Sequence, residues 1–119
     1  MKHTICCIIC QTKDQPFIPS FLLKQTSVGF IPFSVETDSL SAVVEMAKNE
    51  LGVLLNIGKE LYMYSSDSTM NRYFLCSIQV GAKIENTQYN WMSIANIDKV
   101  QDLSVCRAVF EACCRLYNI

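Results

Sequence analysis

The stretch that decides the fold runs Thr37-Asp38-Ser39-Leu40-Ser41-Ala42-Val43-Val44-Glu45-Met46-Ala47-Lys48-Asn49-Glu50-Leu51-Gly52. Leu40, Val43, Val44, Ala47 and Leu51 recur at the spacing that stacks side chains on one face of a helix. Ser41, Glu45, Lys48 and Asn49 fall on the opposite, solvated face. Thr37, Asp38 and Ser39 offer side-chain oxygens to the first unpaired amides, and Gly52 can adopt the left-handed conformation that closes a helix. The pattern predicts an amphipathic helix packed by one face on a core.

The flanking segments read as strands. Thr4 to Gln11 is dense in Ile and Cys, which predicts a strand buried on both faces, ending at Lys13-Asp14-Gln15-Pro16. Phe17 to Gln25 reads as a second strand, with Pro19 favouring an edge or a bulge. Val28 to Val35 is extended, but Pro32 argues against a regular central strand. Beyond the helix, Val53 to Tyr64 and Arg72 to Val80 are strands joined by the polar turn Ser65-Ser66-Asp67-Ser68-Thr69. Gly81 to Gln88 reads as a loop, Tyr89 to Ile94 as a short strand, and Asn96 as the cap of a brief turn over 97–99. A second helix is predicted over Asp102 to Tyr117. Its apolar side is Leu103, Cys106, Val109, Phe110, Cys113, Leu116 and Tyr117, with Arg107, Glu111 and Arg115 turned away. The order β-β-β-α-β-β-β-α, without repeat or linker, predicts a single α+β domain over 1–119 with two helices on a mixed sheet.

Composition narrows the function classes. Half of the 119 residues are apolar, 18% are charged and the formal net charge is −1. No basic stripe is available for a phosphate backbone, so nucleic acid is not an expected partner. The apolar run Ile5 to Cys10 is far shorter than the roughly twenty residues of a membrane helix, and no small-residue cleavage site follows it, so no membrane partner is expected. Seven cysteines, an odd number, sit among Ile and Val, as expected of small core hydrophobes in a reducing cytoplasm. Cys7 and Cys10 spell C-x-x-C, but a strand points them to opposite faces, which disfavours redox chemistry. His3 is the sole histidine, and no second paired spacing exists for zinc.

The element order resembles the Nudix fold, a mixed sheet between helices whose first helix carries the box G-x5-E-x7-R-E-U-x-E-E-x-G-U, with U aliphatic. Ala42 to Val53 is similar to the second half of that box without a gap. Glu45 takes the arginine position, Met46, Asn49 and Glu50 the three helical glutamates, and Gly52 and Val53 the closing pair. Phe30-Ile31-Pro32-Phe33-Ser34-Val35-Glu36 resembles the stretch ahead of the box, shortened by about three residues and without its glycines. Tyr73-Phe74-Leu75 and Trp91-Met92-Ser93-Ile94 are similar to a core strand and to the tryptophan-led strand before the last helix. The likeness thus spans nearly the whole chain.

The resemblance implies a site, and this chain departs from it. Glutamates four apart share a helical face, where carboxylates hold a divalent ion against a diphosphate. Met46 and Glu50 occupy that pair, so one member is a thioether. Asn49 removes a negative charge, and Glu45 replaces a cation with an anion. If the site is active, the resemblance implies Mg²⁺ or Mn²⁺ and a nucleoside-diphosphate pyrophosphohydrolase, with Glu50 and Glu45 as catalytic candidates and Glu50 as the metal candidate. If it is silent, a small nucleotide derivative or a protein partner is the expected occupant, with Phe33, Glu36 and Trp91 as ligand-binding candidates. Phe30, Phe33 and Trp91 could stack on a base, or serve as core. Tyr62, Tyr64 and Tyr73, rimmed by Lys59, Glu60 and Arg72, are a candidate partner surface. An unrelated α+β interaction domain is a third expectation. No nucleophile motif is present among four glycines and one histidine.

Overall fold

The computed structural model describes residues 1–12, 19–27, 29–79, 81–93, 100 and 103–117. Six strands and two helices follow in the expected order: β1 (Lys2–Thr12), β2 (Pro19–Thr26), β3 (Gly29–Val35), α1 (Leu40–Leu51), β4 (Leu55–Ser65), β5 (Thr69–Ile78), β6 (Tyr89–Ser93) and α2 (Leu103–Tyr117). The turn assigned to Asn96 and 97–99, and that at Lys13 to Pro16, lie outside the described residues.

The strands form one sheet in the order β4-β5-β1-β3-β2-β6, with the end of β1 also pairing β2. β1 runs parallel to β5, Lys2 opposite Thr69 through Ile9 opposite Cys76. The remaining pairings are antiparallel, so the sheet is mixed. The two-residue alternation of β1 divides the core. Ile5, Cys7 and Ile9 face one side, where they meet Phe33, Phe74 and the α1 residues Val43, Ala47 and Leu51. Cys6, Ile8 and Cys10 face the other, against Tyr73 and the α2 residues Val105, Ala108, Val109 and Ala112. A strand covered by a helix on each face has no polar side, which is why its sequence shows no alternation.

α1 forms where its periodicity places it. The Ser39 hydroxyl accepts from the Ala42 amide at 3.4 Å, and the Thr37 hydroxyl accepts from the Ser39 amide at 3.1 Å. At the other end Gly52 is left-handed, at φ 71°, and its N–H donates to the Lys48 carbonyl at 3.1 Å.

One expectation holds and one is corrected. β3 is not a regular central strand: its first residues pair β2, ending with Pro32 opposite Leu23, and Phe33 to Val35 pair β1. The missing amide thus falls where the strand changes neighbours. α2 buries Val105, Ala108, Val109 and Ala112, and leaves Phe110 63% exposed and Leu116 at the surface. The two alanines are fully buried in the cluster on that side of the sheet, and the bulkier Phe110 stays outside.

Candidate functional site

The outer part of α1 carries the candidate box. Glu45, Met46, Lys48 and Asn49 are exposed, and Glu50 is half-buried. Met46, at the position one turn before Glu50, is 44% exposed and presents a thioether to solvent. Of the polar box residues Glu45, Asn49 and Glu50, only Glu50 is drawn inward, by partners from β2, β6 and the segment before β6. The Lys24 ammonium lies 3.8 Å from Glu50 Oε1, and the Tyr89 hydroxyl donates to the same oxygen at 3.5 Å. The Asn86 amide donates to the Glu50 main-chain carbonyl at 3.4 Å, one of the carbonyls a helix end leaves unpaired.

Register explains this convergence. Lys24 lies two residues beyond Leu22 on β2, hence on the α1 face of the sheet, and is paired with Tyr89 of β6. Its ammonium stands 6.0 Å from the centroid of the Tyr89 ring. Tyr89 is buried and packs on Phe33, ring centroids 6.4 Å apart. Burial pushes the Tyr89 hydroxyl above its ordinary value, and the adjacent Glu50 charge and hydrogen bond push the same way. Tyr89 therefore stays a donor to Glu50 throughout the neutral range.

The other sequence candidates are dispersed. Phe33 is fully buried in the core under α1. Trp91 is half-buried against that cluster, while Phe30 packs on the opposite face, so the three rings do not line one pocket. Glu36 is exposed and pairs with Lys2 at 3.5 Å. Glu45 is exposed and joins none of the ion pairs among the described residues. Tyr73 is buried and stacks on Tyr62 at 5.7 Å, with the Arg107 guanidinium 4.3 Å over the Tyr62 ring. Of the three tyrosines, Tyr64 is the most exposed. Arg72 makes a two-pronged contact with Glu60, at 2.8 and 3.2 Å. Lys24 and Tyr89 are the site residues that sequence reasoning missed. The available signal was a lone lysine on the inward alternation of Phe21-Leu22-Leu23-Lys24.

Beside Glu50 a polar hollow of about 290 Å³ is lined by Asn49, Glu50, Gly52, Lys83, Glu85 and Asn86. A larger cavity of about 480 Å³, bounded by Cys10, Asn56, Leu75, Cys76 and Leu116, includes none of the box residues. The divalent ion implied by the Nudix resemblance does not fit the donors present. One box carboxylate, already next to an ammonium, is flanked by a thioether and a neutral amide, and Glu85 on the same hollow is accompanied by Lys83. Among the described residues no three of His, Cys, Asp and Glu come together as a ligand set.

Neither a protein-family model nor a curated relative matches the chain. Solved structures do. A C. elegans Ap4A hydrolase in a binary complex is 14% identical, covers all of both chains and superposes with a TM-score of 0.76. A Nudix-family hydrolase from Clostridium perfringens is 13% identical over 93% of this chain and 95% of its own, with a TM-score of 0.65. A Nudix hydrolase from Nitrosomonas europaea is 13% identical over 92% and 86%, with a TM-score of 0.64. At such identities the likeness is one of architecture. This chain has the Nudix fold.

Proposed function

We propose that this domain is a Nudix-fold binding module without hydrolytic chemistry. Its ligand is a small nucleotide derivative or a partner protein, received beside the end of α1. The observation that carries this reading is the state of Glu50: its carboxylate is engaged by Lys24 and Tyr89, with Met46 and Asn49 in the neighbouring box positions. Hydrolysis of a diphosphate needs cationic charge concentrated on the phosphates, and the one remaining glutamate of the helical trio, already compensated by Lys24, supplies no seat for it. The burial of Cys6, Cys7, Cys10 and Cys76 among apolar side chains suits a reducing, cytoplasmic setting.

A second reading is favoured by the solved structures of similar fold, which are named hydrolases. In it, Glu50, Glu45 and Glu36 gather around Mg²⁺ or Mn²⁺ as a divergent pyrophosphohydrolase. The dispersed positions of Glu36 and Glu45 weigh against it. Incubation of the purified chain with either metal and a panel of nucleoside-diphosphate derivatives is expected to give no turnover. Turnover lost on Glu50→Gln substitution would establish the hydrolase instead.

A further inference from the structure

The geometry points to Lys24 as an internal counter-cation that takes the place a divalent ion would need beside Glu50. This deepens, and rests on, the reading of the site as non-hydrolytic. Lys24 Nζ is 3.8 Å from Glu50 Oε1, and the two side chains are only 30% and 31% exposed. Both are therefore partly shielded, and water screens their attraction less than on an open surface. The ammonium is further placed over the Tyr89 ring, while the Tyr89 hydroxyl fills part of the coordination capacity of the same carboxylate oxygen. The charges of Lys24 and Glu50 cancel, Met46 and Asn49 add none, and Lys83 and Glu85 on the adjoining hollow offset each other, so the cluster has no net negative charge to attract a dication. A metal approaching Glu50 meets like charge at contact distance.

Lys24 is thus a positioning residue: it ties β2 to the end of α1 and excludes divalent metal from the cleft. A ligand seated there binds without a bridging metal ion.

The test uses the full chain and Mn²⁺ alone, with binding followed by loss of the free-ion paramagnetic resonance signal. Wild type, Lys24→Met, Lys24→Gln and Lys24→Arg are each compared with the same protein carrying Glu50→Gln. Circular-dichroism melts report folding. Wild type and Lys24→Arg are expected to retain no more Mn²⁺ than their Glu50→Gln counterparts. Lys24→Met and Lys24→Gln should gain affinity by about tenfold or more, and Glu50→Gln should remove the gain. Lys24→Gln keeps a polar side chain, so the result stands if Lys24→Met folds poorly. Wild-type binding that depends on Glu50 and is unchanged by loss of Lys24 overturns the proposal. Separately, wild-type turnover with Mg²⁺ ends the non-hydrolytic reading. Lack of turnover combined with no gain in either Lys24 variant ends the Lys24 assignment alone.

Discussion

Residue chemistry separates the buried thiols from the partly exposed ones. Cys6, Cys7, Cys10 and Cys76 are buried, whereas Cys106, Cys113 and Cys114 are intermediate. Burial first, then the neighbouring Cys76 and Cys113, pushes the Cys10 thiol from 9.0 up to about 11. The Cys7 thiol is raised further through its hydrogen bond with Cys76 and through burial. A thiol-reactive probe on the native chain near neutral pH should label the three α2 cysteines, and the other four only after unfolding, as read by peptide mass spectrometry. The same shifts set a pH dependence. For Cys10 the folded chain keeps a proton that the unfolded chain releases above about pH 9. That stability is complete below pH 9 and is lost as pH rises towards 11, so the melting temperature should fall across this window. Replacing Lys24 by Met should cost little stability, about 0–1 kcal/mol, because its pair with Glu50 is partly solvated. Glu50, Met46 and Asn49 were legible as a group because helical spacing is local. Lys24 and Tyr89 were not, because their arrival at Glu50 depends on β2 pairing with β6 across the sheet.

Among the elements, α1 was read from its caps and periodicity, and its energetics can be tested in the same terms. Leu51 is fully buried, and Leu51→Ala should cost roughly 2–5 kcal/mol in chemical denaturation. Gly52 has open space around a hypothetical Cβ, so Gly52→Ala carries only the strain of a left-handed backbone, about 1 kcal/mol. Gly58 differs in kind. A Cβ there would lie 2.7 Å from the Leu75 carbonyl oxygen, where the β4–β5 register shifts. Gly58→Ala should therefore push β4 off β5 and destabilise more than Gly52→Ala does, a ranking that paired melts can check. α2 was located correctly, and Cys106, Val109 and Cys113 of its expected apolar side pack on the core. Apolar bulk favours Phe110 as a core residue as well, yet Ala108 and Ala112 are fully buried and Phe110 is not.

On the scale of the molecule, a sheet with a helix on each face was legible because β1 has no polar side and both helices have one apolar face. The strand order was not legible, since pairing partners are distant in sequence, and likeness to a known architecture supplied only a mixed sheet between helices. Added Mg²⁺ or Mn²⁺ should leave the melting temperature of the whole domain unchanged, because selective binding to the folded state is what would raise it. The position of β1 also bears on how the domain is made. It is made before the other strands of the sheet, and its parallel neighbour β5 is synthesised only after β2, β3, α1 and β4. Until then the most apolar segment has one flank uncovered, so nascent chains stalled before Thr69 should be the species that chaperones hold and that aggregate when released.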